Sequence, residues 1–209
     1  MGKMLVVCVN CYNDMPMIKD CINSVYSQVD RIIAVDGKYR DFPASSHYST
    51  DGTIEFLLSL DKVELVFAAD MFEADKRNIY MDMLNTGDTV LVLDGDEYIE
   101  GNIRKLDRFT DIGLVYLGEP GKKHKRLATR FFRYRKGLRH NGIHFILEIG
   151  GRWFNNRCHA VSGFKDKKIN TFKIHHQHRR RSRKRKEQKD KYRISARKRE
   201  SQYKIMPYE

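Results

Sequence analysis

Four short strand-like runs, separated by segments of helical spacing, leave this chain few folds to choose from. The runs are Met4–Val9, Arg31–Val35, Val63–Phe67 and Val90–Leu93, rich in Val, Ile and Leu. Continuous apolar runs of this length suit strands buried on both faces of a sheet. After the first run, Pro16 stands near a helix start, and Met17, Ile18, Cys21, Ile22 and Val25 recur at helical spacing. After the second, Ser49-Thr-Asp-Gly52 caps a helix reaching about Leu60, with Ile54, Leu57 and Leu58 apolar. After the third, Phe72 to Leu84 reads as helix, and Asn85-Thr-Gly87 stops it. Such alternation implies an α/β fold with a mostly parallel sheet and helices on both faces.

The pattern changes after Gly101. Strands are expected at Ile112–Leu117, Thr129–Tyr134, Ile143–Ile149 and Asn170–Ile174, with an exposed basic loop from Gly118 to Lys125. Arg152 to Ser162 is mixed and carries no clear element signal.

The fourth run ends abruptly in Asp94-Gly95-Asp96. Two adjacent carboxylates repel unless a cation or hydrogen-bond donors offset them. At the carboxyl end of a parallel strand they stand where open α/β sheets bind ligands. A hard divalent cation bridging to substrate phosphates fits that chemistry. Asp-Gly between apolar runs is also a hairpin signal, and the segment alone leaves both readings open. In a parallel sheet Asn10, Asp36 and Asp94/Asp96 converge on one crevice.

The net charge of +13 conceals an asymmetry. Lys173 to Arg199 holds fourteen Lys/Arg against Glu187 and Asp190, while the rest holds twenty-six against twenty-five. The chain thus divides into a near-neutral domain, residues 1–177, and a basic segment, 178–209, expected to be a solvated or partner-bound helix or disordered. Residues 178–200 suit an anionic membrane surface, a nucleic acid by phosphate neutralisation, or the charge of a diphosphate.

No run approaches the ~20 apolar residues of a membrane span, and the N-terminus reads as a first strand rather than a signal peptide. Cys8, Cys11, Cys21 and Cys158 make a poor disulfide framework, and Cys8-x-x-Cys11 lies in a strand rather than at a helix start. Buried structural thiols in a reducing, cytoplasmic setting, peripheral to a membrane at most, are expected.

Several segments resemble the family 2 glycosyltransferases of the GT-A (Rossmann-like) fold. Leu5-Val-Val-Cys-Val-Asn-Cys-Tyr-Asn13 is similar to that family's first strand and polar exit. Ile32-Ile-Ala-Val-Asp36 with Ser49-Thr-Asp-Gly-Thr53 looks like its V-D-x-x-S-x-D-x-T element, here interrupted by a Lys38–Tyr48 insertion. Ala74-Asp-Lys-Arg-Asn78 is similar to its ARN helix, and Asp94-Gly-Asp96 to its D-x-D signature. Arg130-Phe-Phe-Arg133 followed by His144, and His175-His176 after a strand, resemble later family elements.

The resemblance implies a single GT-A domain that transfers a sugar from a UDP- or GDP-sugar, with Mn²⁺ or Mg²⁺, to an acceptor whose class (glycan, protein, lipid-linked or nucleic acid) stays open. It implies Asp96 on the metal and Asp94 on the metal or the donor's ribose, with His176 completing the set and His175 or His178 as rivals. Imidazole with carboxylate favours Mn²⁺ slightly. The histidines also read as the start of a solvated basic tail. Asp36 and Asn10 would meet the nucleotide, and Lys76, Arg77 and Asn78 the diphosphate or sugar. Asp36 equally suits a turn before Gly37, and the three helical residues a solvated face. Of Arg130 and Arg133, at most one faces the cleft. An inverting transfer needs a carboxylate base. The family's H-E step is absent, because Phe145 follows His144. Glu148, returning to the same strand face as His144, is the expected base, with Glu119 and Asp166 as alternatives.

Two other classes compete. A nucleotidyltransferase of similar architecture would carry a Gly-rich loop after the first strand, where this chain has Asn10-Cys-Tyr-Asn13. A nucleic-acid-binding or nucleic-acid-modifying protein would work through the basic tail.

Overall fold

The structure, a computed structural model, describes residues 3–105, 110–119, 126–141, 146–149, 152–154, 166–177 and 183–200. The first half alternates as the sequence implies: β1 (Leu5–Cys11), α1 (Met17–Tyr26), β2 (Arg31–Asp36), α2 (Thr53–Leu58), β3 (Val63–Phe67), α3 (Glu73–Asp82) and β4 (Thr89–Asp94). The second half runs β5 (Glu97–Gly101), β6 (Ile112–Gly118), β7 (Arg126–Arg133), β8 (Arg139–Asn141), β9 (Ile146–Ile149), β10 (Arg152–Phe154), β11 (Asp166–His176) and α4 (Arg183–Glu200).

Eight strands form one sheet in the order β3-β2-β1-β4-β7-β6-β11-β5, and β10-β9-β8 form a small antiparallel sheet. The first four are mutually parallel. β7 then runs antiparallel to both β4 and β6, β11 is parallel to β6, and β5 is antiparallel to β11. The parallel half matches expectation, and the second half is mixed. By this chain of pairings β1, β2, β4, β6 and β11 all end on the same sheet edge.

Strand alternation sorts the core into two layers. Val7, Val9, Ile32, Ala34, Leu91 and Leu93 pack under α1 and α2. Val6, Cys8, Ile33, Val35, Val90 and Val92 pack against Tyr80, Met81 and Leu84 in and after α3. Each fully buried aliphatic contributes roughly 1.5–3 kcal/mol of transfer free energy. α1 presents Met17, Ile18, Cys21, Ile22 and Val25 to the sheet, so a charge at Ile22 would lie inside that layer.

Several sequence expectations change. Asp94-Gly95 is not a hairpin, because β4 sits between β1 and β7 while β5 lies at the far edge beside β11. α2 is shorter than expected, and its N-cap Gly52 takes φ +91°. β11 starts four residues before Asn170 and shifts register against β6 between Ile169 and Lys173. β5, β8 and β10 carry no strand signal in the sequence. His175 and His176 end β11, so the basic tail does not begin there. Of that tail, 183–200 is helical, and Tyr192 is buried among Tyr12 and Phe42. His144, Cys158 and His178 lie outside the described residues. Among the described residues no helix is long and apolar enough to cross a membrane.

Candidate active site

The shared sheet edge gathers the acidic strand ends. Register pairs Asn10 with Val35 on one side and Asp94 on the other, and Cys11 with Asp36. The turn after β4 folds against β1, where Gly95 N donates to Asn10 O at 3.1 Å. It passes so close to Asp14 that a Cβ at Gly95 would lie 2.6 Å from Asp14 Oδ2. Gln177 N donates to Asp96 O at 2.8 Å, which ties the turn to the end of β11. Asp96 is 1% exposed there. Asn10 is buried, and its side-chain amide has no hydrogen-bond partner among the described residues.

Besides Asp14, four carboxylates and two guanidiniums meet around this turn. Arg77 Nη2 lies 2.9 Å from Asp94 Oδ1 and 3.0 Å from Glu73 Oε1. Arg130 Nη2 lies 2.6 Å from Glu97 Oε1 and 3.7 Å from Asp94 Oδ2. His176 Nε2 sits 3.1 Å from the same Glu97 oxygen, and Asp94 N donates to Glu97 Oε2 at 2.9 Å. Asp96, between Asp94 and Glu97 in the chain, is the fourth carboxylate. Arg77, Arg130 and Glu97 are buried, whereas the Asp94 side chain keeps 25% of its surface in solvent.

This arrangement separates the two acids that share Arg130. Burial pushes the Asp94 carboxyl up, but Arg77 and Arg130 outweigh it and hold Asp94 well below the usual carboxylate range. Burial pushes Glu97 up to about 8 despite Arg130. Near neutral pH the solvent-facing acid is therefore charged and its buried neighbour holds a proton. Sequence reasoning missed Glu97. Its signal was the third acid in the run Asp94-Gly-Asp-Glu97.

Three residues expected to meet the donor are spent inside the protein. Asp36 is buried and accepts bonds from Ser49 N at 2.9 Å and from Ser49 Oγ, which closes the 38–48 insertion. Lys76, also buried, donates to Cys11 O at 3.0 Å and Gly37 O at 2.5 Å, which joins the ends of β1 and β2. Burial pulls its pKa down to about 8. Asn78 bonds both His140 O, at 3.0 Å, and His140 N, at 2.8 Å, and so fixes β8 on α3. Each motif position holds a polar side chain that satisfies buried backbone groups.

Glu148 lies in β9, with its side chain outside the described residues. Its backbone in β9 pairs with Arg139, and Arg139 bonds Asp82 at the last position of α3. The cluster meets α3 at its first turns, through Glu73 and Arg77. Glu119 follows Gly118, which pairs with His175, so Glu119 lies on the same edge as His176. Asp166 opens β11, at its opposite end. Of Arg130 and Arg133, Arg130 is the one that joins the cluster. Cys8, Cys11 and Cys21 are buried free thiols, as expected.

No family model and no curated protein matches the chain. Solved structures of S. aureus TarS resemble it. One covers 59% of this chain and 23% of its own, at 22% identity and TM-score 0.44. A 1–349 form in complex with UDP-GlcNAc covers 59% and 37%, at 23% identity and TM-score 0.44. The same form with UDP covers 59% and 38%, at 22% identity and TM-score 0.45. This chain therefore spans less than two-fifths of the length of each of these chains.

The donor chemistry of the turn fits a hard cation by charge. With Glu97 protonated, Asp94, Asp96, Glu73 and the Asp14 carboxylate beside Gly95 stand against Arg77, Arg130 and Lys189, a net negative charge. Carboxylate oxygens and one imidazole suit Mn²⁺ or Mg²⁺. Asp94 and His176 are committed to ion pairs, and among the described residues no group of three His, Cys, Asp or Glu is set to hold an ion. A cation there would have to replace one of those pairs.

Proposed function

We propose that this chain is a metal-dependent glycosyltransferase of the GT-A kind, binding a UDP- or GDP-sugar at the common carboxyl edge of β1, β4, β6 and β11. One observation carries the reading. A solvent-facing, ionised Asp94 is held by Arg77 and Arg130 beside buried Asp96, at the edge where open α/β sheets take ligands. Asp94, Asp96 and His176 would hold Mn²⁺ or Mg²⁺, which supplies Lewis-acid stabilisation of the leaving diphosphate. Arg77 and Arg130 orient Asp94. Asn10, with its unsatisfied buried amide, faces the donor. Glu119, rather than Glu148, takes the acceptor proton in an inverting transfer.

The test is hydrolysis of a UDP- and GDP-sugar panel by the intact chain, with Mn²⁺, Mg²⁺ or EDTA. The reading expects slow, metal-dependent release of nucleoside diphosphate, lost in Asp94→Asn. Release that ignores both EDTA and that substitution contradicts it.

A further inference from the structure

The basic helix α4 does not float free of the domain. Gln188, Lys189, Tyr192 and Ser195 are partly or fully buried, while Arg183, Lys186, Lys191 and Ile194 are exposed. The spacing of the covered set places one helix face on the domain. Tyr192 stacks on Tyr39, with centroids 5.5 Å apart and planes 16° from parallel, and leans on Phe42 at 5.9 Å. Gln188 Nε2 donates to Pro43 O at 2.7 Å. The seat is thus the 38–48 insertion. Tyr39 in turn lies under the Lys76 ammonium, 5.0 Å from the ring centroid, which brings the seat to the ends of β1 and β2. Lys189 is half-buried on that same face of α4, between Gln188 and Tyr192 in the chain, and its positive charge acts on Asp94.

We propose that Lys189 is a donor-binding residue that meets the diphosphate at the Asp94 edge, and that Tyr192 is the positioning residue that seats it there. The inference rests on the nucleoside diphosphate reading of the same site. An ammonium is a compact charge on a flexible stem, suited to a phosphate whose position shifts as the leaving group departs. The insertion and the tail, two segments that look unrelated in the sequence, then form one device. The insertion supplies an aromatic floor, and the tail lays a cation across it. Among the described basic side chains of α4, Lys189 serves the donor from the inward face, and outward residues such as Lys191 do not.

The test is equilibrium binding of UDP and GDP, with the matching monophosphates, to the intact chain in Mn²⁺. Lys189→Gln is expected to weaken the preferred diphosphate roughly tenfold, as for loss of a charge-assisted contact. The monophosphate should lose less, and Lys191→Gln should stay within about twofold, as expected for a screened surface charge. Tyr192→Ala should weaken diphosphate binding like Lys189→Gln, with no further loss in the double variant, and Tyr192→Phe should restore it. Thermal melts verify that each variant is folded. Equal binding by wild type and Lys189→Gln overturns this inference and leaves the donor reading standing. Tighter binding in Lys189→Gln or Tyr192→Ala also overturns it, by making α4 an obstruction. A wild-type chain that binds no nucleoside diphosphate overturns both.

Discussion

Glu97→Gln should flatten the pH dependence of stability above pH 6.5. Glu97 is fully buried, with Arg130 Nη2 at 2.6 Å and His176 Nε2 at 3.1 Å on one oxygen. Burial lifts its pKa from 4.5 to about 8. The folded state therefore holds this proton more tightly than the unfolded chain. Its contribution is fully present below pH 4.5 and is lost as pH rises to about 8. At about 1.4 kcal/mol per pH unit, the loss over the window is on the order of 4–5 kcal/mol. Buried His140 acts in the opposite sense, because burial pulls its pKa well below 6.5. A base with a lowered pKa costs stability as pH falls below its unfolded value. The two slopes oppose each other between pH 4.5 and 6.5, and among the described groups with a shifted pKa the Glu97 slope stands alone from 6.5 to 8. Lys76 adds a gain only above about pH 8. Urea unfolding at half-unit pH steps measures this directly. Wild type should lose about 2 kcal/mol between pH 6.5 and 8, and Glu97→Gln should stay nearly level. An equal decline in both proteins would refute the protonated, buried Glu97.

Three further outcomes follow from the same geometry. Gly37→Ala should destabilise the fold by more than about 3 kcal/mol in chemical denaturation, because φ is +139° and the new Cβ would sit 2.2 Å from Ala68 O. Asn78→Ala should cost about 1–3 kcal/mol through the two bonds it loses to His140, while nucleotide affinity measured by calorimetry stays unchanged; a large affinity loss would return Asn78 to the donor site. Glu119→Gln should lower turnover roughly 100-fold or more with donor KM held, whereas Glu148→Gln should leave turnover near wild type.

The parallel half was legible in the sequence because each element carried two agreeing signals. Ile32 to Val35 is apolar and bounded by turn residues, and Met17 to Val25 keeps helical spacing into the sheet. The mixed half was not. β5 begins with Glu97 on its buried face, and a charged residue there reads as solvent-facing until its partners Arg130 and His176 are known. β8 is three residues long and held by Asn78 across 62 positions of sequence, a contact with no local pattern. The motif-bearing residues divided for a related reason. A motif fixes the residue type, but not whether its polar atoms point to a ligand or to unsatisfied backbone. Asp94 and Arg77 join the strand-end cluster, whereas Asp36, Lys76 and Asn78 bond backbone groups. The tail was ambiguous because one aromatic, Tyr192, decides its docking.

The most direct test of the central claim is calorimetric binding of UDP and GDP to the wild-type chain and to Asp96→Asn, each with Mn²⁺ and with EDTA. The strand-end cluster predicts binding by wild type in Mn²⁺, loss of at least tenfold in affinity with EDTA, and a comparable loss in Asp96→Asn. Equal affinity in all four arms, or no binding of either nucleotide by wild type, would contradict it.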